Sequence, residues 1–509
     1  MRVSILGLAV MAVLPALLVP ACHDSSSWRN LIGPQTGSLS VSIATGKVNV
    51  VTQPQALTLS GTAVLDSPAS TLTVSLLLQN ISNQIVFNPK ILVTNLNEGT
   101  VTGDGTFGGG GGDPYVYYGP KSMRSGASVT RDIVIDGVSG TIPDITLDVE
   151  IVFHPMFFVS SDYDVLMAVD SSGTNQTFLI DGLPLGYQGD NFFDMVFLDG
   201  VASPDGRFIY MGSRNQPALT ILDTTTLLPV MGKDLTGNGN IAFDSTGTIG
   251  SVDAVTMSPD AKHLYAVLNE GAHAVRFSGT YNTPEVSVVK IRRSDLSVVG
   301  RLTLLDPGAP FIEHRGHKAS LSADGSLGVV AVTEQGLVFL FDAVSMTLLQ
   351  TFDVSTTSTE LRLAALAPDG STIYAAYIDN DGTLDVIDVA TGGVSTLALP
   401  TPETSLNWVG ALTFGPDGRL YYTRVTQSPG LSIYDPVSMT WVEQTVVGAC
   451  YGVAFSADGT TYYANDYDNS EIHAFDIATD AIIPNEADGG PTIPHSNWVW
   501  GHCFIVTPL

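Results

Sequence analysis

The stretch Ser203-Pro204-Asp205-Gly206, followed by the apolar run Phe208-Ile209-Tyr210, is the first of six similar stretches that decide the fold. In each copy a short apolar strand leads into a four-residue turn, and a second apolar strand follows. The other turns are Ser258-Pro259-Asp260-Ala261, Ser322-Ala323-Asp324-Gly325, Ala367-Pro368-Asp369-Gly370, Gly415-Pro416-Asp417-Gly418 and Ser456-Ala457-Asp458-Gly459. Self-similarity with a period of roughly 40–65 residues predicts a repeat architecture.

The strands around these turns predict a β-propeller. Most units also contain a third strand that ends in aspartate, as in residues 219–223 and 384–388, and four strands at this period make one blade. The chain ends in residues 502–508, which look like an inner strand with nothing after it. Residues 164–169 and 175–181 look like second and third strands without an inner strand. Joining these ends predicts a closed seven-bladed propeller, with no exposed edges at the closure.

This repeat resembles the lactonase-like, YVTN-type seven-bladed propellers, a family of mostly exported proteins. The resemblance covers residues 156–509 and implies the fold. It leaves the function open, because propellers of this kind serve as hydrolases, quinoproteins, metal sites and inert scaffolds.

Residues 37–155 predict a second all-β domain. Leu72, Val74, Leu76 and Leu78 recur at every second position, which is typical of a half-buried strand. Seven or eight such strands predict a β-sandwich. The segments 78–82, 89–93, 114–116 and 125–129 resemble the immunoglobulin-like domains of bacterial surface proteins. That resemblance implies a spacer or an adhesive module.

The N-terminus predicts export. Arg2 precedes an apolar run, and Ala21 stands before Cys22. Residues 1–21 resemble a bacterial lipoprotein signal, which implies that Cys22 is lipidated, that residues 22–36 form a tether and that the lipid is the only membrane anchor. His23 after the cysteine, where an inner-membrane retention signal has aspartate, implies the outer membrane. Ordinary secretion is the alternative.

The two remaining cysteines and the charge bound the chemistry further. Cys450 and Cys503 are an even pair in an oxidising compartment, so we predict a disulfide, with two buried free thiols as the alternative. The formal charge of −29 disfavours nucleic acid as a partner. The acidic hairpins at 379–385 and 466–471 make calcium the one candidate cofactor. Plain hairpin turns explain those segments better.

One candidate site emerges when the repeats are superposed. The position six residues before each turn proline or alanine is polar in five units and stands near the start of each inner strand. The predicted channel-mouth residues are Asp253, His317, Arg362, Tyr451 and His502, flanked by Trp408 and Trp500. Such a set predicts a site for a polar or anionic ligand. The alternative is that these strand starts are simply wetted by solvent.

The sequence therefore favours a non-enzymatic binding or scaffolding role. We expect a propeller displayed on a β-sandwich stalk at the cell surface or facing the periplasm, with a protein or glycan of the cell envelope as partner. The alternative is a propeller hydrolase of lactonase type, with a metal or water activated at the channel mouth. G-x-S-x-G, H-E-x-x-H and Walker sequences are absent, and we assign no catalytic residue.

Overall fold

We describe the fold from a computed structural model of the 509-residue chain. The described residues are 35–54, 57–81, 86–87, 89–106, 114–117, 122–123, 126–152, 156–160, 166–170, 176–178, 197–213, 216–224, 228–234, 250–270, 285–305, 318–332, 336–354, 361–377, 382–401, 409–425, 428–456, 458–466, 468–469, 471–484, 492–494 and 503–506. The regular elements of these residues are all β-strands. None of the described parts contains a helix with the length and hydrophobicity needed to cross a bilayer.

The first twelve strands belong to the N-terminal region. They are β1 (Gln35–Ser42), β2 (Lys47–Thr52), β3 (Leu57–Asp66), β4 (Thr71–Asn80), β5 (Val86–Phe87), β6 (Lys90–Leu96), β7 (Thr100–Thr102), β8 (Gly105–Thr106), β9 (Pro114–Tyr117), β10 (Ser122–Met123), β11 (Ser128–Asp136) and β12 (Asp144–Val152). Ten of them form one hydrogen-bonded path in the order β7-β11-β4-β3-β2-β1-β12-β6-β9-β8, and β5 pairs with β10.

Most strands of this sheet have one buried face. Leu72, Val74, Leu76 and Leu78 are fully buried, as their alternation predicts. They share one apolar core with residues of β1, β6 and β12, although β2 and β3 are joined by the single pair Lys47–Thr62. The sheet therefore folds over its own core at that weak joint. The immunoglobulin-like assignment stays a prediction.

The chain from Met156 onward forms a propeller of several blades. Its described strands form seven sheets, which we number as blades 1 to 7 in chain order. Blade 1 contains β13 (Met156–Ser160), β14 (Leu166–Asp170) and β15 (Gln176–Phe178). Blade 2 contains β16 (Phe197–Ala202), β17 (Phe208–Ser213), β18 (Gln216–Asp223) and β19 (Leu228–Asp234). Blade 3 contains β20 (Gly250–Met257), β21 (His263–Glu270), β22 (Glu285–Arg292) and β23 (Val298–Leu305). Blade 4 contains β24 (Ser320–Leu321), β25 (Leu327–Val332), β26 (Leu337–Asp342) and β27 (Thr347–Asp353).

The remaining blades continue in the same order. Blade 5 contains β28 (Leu361–Leu366), β29 (Thr372–Tyr377), β30 (Thr383–Asp388) and β31 (Val394–Ala398). Blade 6 contains β32 (Val409–Phe414), β33 (Leu420–Arg424), β34 (Leu431–Asp435) and β35 (Thr440–Glu443). Blade 7 contains β36 (Cys450–Phe455), β37 (Thr461–Asp466), β38 (Glu471–Asp476), β39 (Ile482–Ile483) and β40 (Thr492–Pro494), and the last strand is β41 (Cys503–Val506).

Blade 1 takes its inner strand from the C-terminus, because β41 pairs antiparallel with β13. Our strand assignment within this blade was wrong by one position. β13 is the second strand, β14 the third and β15 the fourth, whereas we had placed the second strand at 164–169 and the third at 175–181. The reason is that this blade has no turn between its first two strands, so the motif that marks the strand order elsewhere is missing.

The repeated turn is held by its own side chains. Ser203 Oγ donates a hydrogen bond to Asp205 Oδ1 at 2.5 Å and accepts one from the Phe208 amide at 2.9 Å. The same Asp205 oxygen accepts from the Arg207 amide at 3.3 Å. Gly206 has φ 67°, which glycine adopts without steric cost. The serine-to-aspartate bond recurs at Ser258, Ser322 and Ser456. The sequence motif is thus a local turn structure.

Each propeller core lies between two consecutive blades. Val329 and Leu340 of blade 4 pack in one cluster with Ile373 and Ala375 of blade 5. Tyr421 of blade 6 belongs to another cluster, together with residues of blade 7. The blades therefore hold one another through apolar faces on both sides of each sheet, as buried strands of this composition require.

Candidate binding site on the loop face

The two faces of the propeller differ in the length of their connections. Where Gly250 pairs with Glu270, an inner strand begins and a second strand ends. We call this side the loop face and the side with the six repeated turns the turn face. Connections on the turn face have four or five residues between the described strands. The four longest connections between described propeller strands, residues 179–196, 235–249, 271–284 and 306–319, join strand ends on the loop face.

The predicted site positions coincide with bulges in the inner strands. The ladder skips Asp253 between Val252 and Ala254, and it skips Arg362 between Leu361 and Leu363. Equivalent irregularities contain Leu198, Gly410 and Tyr451. A bulge bends its strand and changes the direction of a side chain. The superposed positions therefore share one structural feature near the start of five inner strands.

The side chains at these positions are described only in part. Those of Arg362 and Tyr451 are half-buried, and for Asp253 the structure describes the backbone alone. His317, Trp408, Trp500, His502 and the predicted lipid-bearing Cys22 lie outside the described residues. Whether the predicted set binds one ligand together stays a prediction.

Gly410 has a packing role at its bulge. A β-carbon added there would lie 2.5 Å from the carbonyl oxygen of Tyr451 and 2.8 Å from that of Cys450. Both distances are shorter than a carbon–oxygen van der Waals contact allows. The bulges of blades 6 and 7 therefore meet backbone to backbone, and this leaves no room for a side chain at 410.

A group of buried polar pairs on the loop face was missed in the sequence. In blades 5, 6 and 7 the last residue of the second strand is hydrogen-bonded to a polar residue of the third strand. The pairs are Tyr377 with Asp385, Arg424 with Ser432, and Asp466 with His473. We call these three pairs the clamps, because each one also bonds to the backbone of the connection that leads into its own blade.

The blade 6 clamp is centred on Arg424, which is fully buried. Its Nη2 donates to Ser432 Oγ at 2.6 Å and to Glu443 Oε1 at 3.1 Å. Its Nη1 donates to the carbonyl of Thr401 at 3.3 Å, and the Thr401 hydroxyl donates to the same Glu443 oxygen at 2.7 Å. One buried cation thus joins two strands to the connection before β32.

The blade 7 clamp is centred on the buried carboxylate of Asp466. Its Oδ2 accepts hydrogen bonds from the Gly448 amide at 2.8 Å, from Asn469 Nδ2 at 3.0 Å and from His473 Nε2 at 3.2 Å. Burial alone would raise the pKa of the Asp466 carboxyl, but these hydrogen bonds outweigh it and the pKa is lowered. Asp466 therefore remains ionised at neutral pH and holds Gly448 in place.

The blade 5 clamp is a phenol–carboxylate pair. Tyr377 Oη lies 2.5 Å from Asp385 Oδ2 and 3.3 Å from the carbonyl of Val354. Asp385 belongs to the first hairpin that we considered for calcium, and its side chain is buried. Its bond to Tyr377 gives Asp385 a structural role, while residues 379–381 of that hairpin lie outside the described residues.

The second calcium candidate is also occupied by protein donors. Asp466 belongs to the clamp, and Asp468 Oδ2 accepts from the Ala449 amide at 3.1 Å. Across the residues with described side chains, no three His, Cys, Asp or Glu groups stand close enough to share a metal ion.

A signal for the clamps was present in the sequence. In four third strands a polar residue follows the first residue of an apolar run, and all four polar residues are buried: Thr220, Asp385, Ser432 and His473. A polar residue inside a buried strand needs a hydrogen-bond partner. Searching for that partner among the last residues of the second strands finds the pairs of Asp385, Ser432 and His473, whereas Thr220 Oγ1 has no partner in the described structure.

The predicted disulfide differs from the structure, in which Cys450 is a buried free thiol. Its Sγ lies 3.4 Å from the carbonyl oxygen of Gly452, and burial raises its pKa to about 12. Cys450 packs in the core between blades 6 and 7, whereas β41, which contains Cys503, belongs to blade 1. The thiol is therefore directed away from the closing strand. The Cys503 side chain lies outside the described residues.

Known proteins resemble this chain in structure and not in sequence. No family model and no curated protein matches it. A proposed 6-phosphogluconolactonase from Bacteroides fragilis aligns with 69% of this chain and 98% of its own, at 14% identity and a TM-score of 0.45. Another from Bacteroides uniformis covers 69% and 99%, at 13% identity and 0.44. Kuenenia stuttgartiensis hydrazine synthase covers 57% and 80%, at 17% identity and 0.41. Similarities this low carry no information on activity.

Proposed function

We propose that this protein is a binding protein of the cell envelope, whose propeller recognises a protein or glycan with its loop face. The contrast between the two faces carries the proposal. Turn-face connections have four or five residues and are closed by their own side chains, whereas the four longest connections between described propeller strands all join strand ends on the loop face. Long loops on a folded scaffold are where proteins place variable binding groups.

The composition of the loop-face connections supports this role. The chain has nine histidines and five tryptophans. Five of the histidines and three of the tryptophans fall in connections between strand ends of that face: His273, His314, His317, His495, His502, Trp408, Trp498 and Trp500. Aromatic residues supply much of the affinity at binding interfaces. Their concentration in connections that join strand ends of one face favours recognition there.

The propeller and the N-terminal domain fit a display role. We propose that blades 1 to 7 form a closed ring of the lactonase-like kind. β41 pairs with β13 and also contacts β16 of blade 2 and β36 of blade 7, which are the neighbours that ring closure requires. Residues 37–155 would be the stalk of immunoglobulin-like type.

The test is a comparison of what three versions of the purified full chain capture from an envelope extract. The versions are the wild type, a loop-face variant with His317, Arg362 and His502 changed to alanine, and a turn-face control with Arg207 and Lys262 changed to alanine. We expect the wild type and the control to capture the same component and the loop-face variant to lose it. Capture of the same component by all three would contradict the proposal.

Metal analysis of the same wild-type preparation separates binding from hydrolysis. Stoichiometric zinc or copper would favour the hydrolase alternative, since such an enzyme would use a metal to activate water. Absence of transition metal, together with loss of capture in the loop-face variant, is the result that we expect.

We propose further that the chain is a lipoprotein anchored through Cys22, on the evidence of the signal-like residues 1–21. A Cys22→Ala substitution removes the thiol that would carry the lipid. We expect it to move the protein from the membrane fraction to the soluble fraction. A variant that stays with the membrane at the wild-type level would show that the anchor is elsewhere.

A further inference from the structure

We infer that the three clamps are positioning sites, which fix the loop-face connections that lead into blades 5, 6 and 7. Their consequence for ligand binding rests on the function proposed above, but their action on the connections does not. The residues that reach the connections are Tyr377, Arg424 and Asp466.

The connections of the propeller are held by local and by long-range hydrogen bonds. On the turn face, Asp342 accepts hydrogen bonds from the amides of Val344 and Ser345, two and three residues away. Each clamp instead bonds to a residue far away in the sequence, from Tyr377 to Val354, from Arg424 to Thr401 and from Asp466 to Gly448. The connections that the clamps contact have seven, ten and six residues, at 354–360, 399–408 and 444–449. They are longer than the turn-face connections, so their order depends more on a contact from outside.

The contact points lie where each connection leaves or enters a strand. Val354 directly follows β27, Thr401 follows β31 after two residues, and Gly448 precedes β36 by two residues. Gly448 also has no room for a side chain, because a β-carbon there would lie 2.9 Å from Asp466 Oδ1 and 3.0 Å from Asp468 Oδ2. The clamps therefore set the point from which each connection departs.

Two clamps retain a buried polar atom without a hydrogen-bond partner. Within the described structure these atoms are Arg424 Nε and His473 Nδ1. An unsatisfied buried polar atom costs about 1–3 kcal/mol, so an apolar pair would serve stability at least as well. Retention of charged groups at this cost fits a positioning role, in which the direction of the bond to the connection is what matters.

Hydrogen exchange of Arg424→Met tests the inference without knowledge of the ligand. Methionine fills the same volume but cannot bond to Thr401 or Ser432. We expect amides in residues 399–409 to exchange about tenfold faster, which corresponds to the loss of about one hydrogen bond to a charged group, while amides elsewhere keep their rates. Tyr377→Phe is a milder second variant, and we expect faster exchange confined to residues 353–361.

Arg419→Met is the matched control, since Arg419 directly precedes the same strand β33 at the turn-face end. Its guanidinium bonds to Asp480 at 2.7 and 3.0 Å and to the Ile477 carbonyl at 2.7 Å. We expect this control to destabilise the protein without a selective change in residues 399–409. Unchanged exchange in both clamp variants, or an increase spread over the whole propeller, would overturn the inference.

The envelope-extract capture separates this inference from the proposed function. If exchange rises locally in Arg424→Met and capture falls, both stand. If exchange rises locally and capture is unchanged, the clamp positions its connection but that connection does not serve the proposed binding.

Discussion

At the residue scale, one of the six repeated turns has alanine where the other five have glycine. Ala261 has φ 55° at the position that glycine occupies in the other five turns. A left-handed conformation costs a non-glycine residue about 1–2 kcal/mol. Glycine removes this cost, but its higher conformational entropy in the unfolded state offsets part of the gain. We expect Ala261→Gly to raise the free energy of unfolding by about 0.5–1 kcal/mol, measured by chemical denaturation. Gly325→Ala, at φ 70°, is the reverse control and should destabilise.

We expect the aspartates at the ends of third strands to make the propeller more sensitive to acid. Hydrogen bonds from residues two or three positions later hold the pKa of Asp342, Asp388, Asp435 and Asp476 below the usual 3.8. The folded state thus binds protons less readily than the unfolded state. Stability from these groups is complete above the unfolded pKa, near 4, and is lost as the pH falls through the lower folded values.

A variant in which all four aspartates are changed to asparagine tests whether they cause the acid sensitivity. Asparagine keeps an acceptor oxygen for the turn but does not titrate. We expect the melting temperature of the variant to fall less steeply than that of the wild type between pH 5 and pH 2. Parallel curves for the two proteins would assign the acid sensitivity to other groups.

At this scale the sequence predicted the contacts within turns but not the contacts between side chains on different strands. Ser203, Asp205 and Gly206 act on one another within a few residues, so their pattern predicts their contacts. Arg424 meets Thr401 and Glu443 across the sheet, and Cys450 is directed toward blade 6. Such contacts depend on which face of a strand packs against which neighbour, and this cannot be read from spacing alone.

At the element scale, β41 is the strand whose loss should matter most. It supplies the inner strand of blade 1 and lies beside β16 and β36. Truncation after Pro494 would expose the backbone groups of β13 and remove both contacts. We expect the melting temperature to fall by about 4–12 °C, which corresponds to a loss of about 2–3 kcal/mol. Truncation after Val506 keeps the pairing and should melt as the full chain does, whereas equal melting of both would contradict the closure.

Elements with a local marker were predicted and elements without one were not. Blades 2 to 7 each contain the turn, and their strands lie where it places them. β13 has no such marker, because its partner is supplied by the far end of the chain, so the strand order in blade 1 was shifted by one. Pairing between distant segments leaves no spacing in the sequence that identifies the two partners.

At the scale of the whole molecule, two sets of cores stand apart. The core of the ten-stranded sheet contains residues from Leu39 to Ile151 only. The propeller cores begin with Tyr210 and its neighbours and share no residue with it among the described side chains. Cooperativity in unfolding follows shared burial. The sequence boundary near 155, drawn from a change of strand pattern, therefore makes a thermodynamic prediction.

We predict that the full chain unfolds in two calorimetric transitions, one for each set of cores. Leu76 and Ile373 are both fully buried, one in each part. Replacing such a residue with alanine leaves a cavity and costs about 2–5 kcal/mol. Leu76→Ala should lower one transition by on the order of 10 °C and leave the other unchanged, and Ile373→Ala should do the opposite. If either substitution moved both transitions together, the sheet and the propeller would be one cooperative unit, and a stalk that supports an independent binding domain would no longer describe this protein.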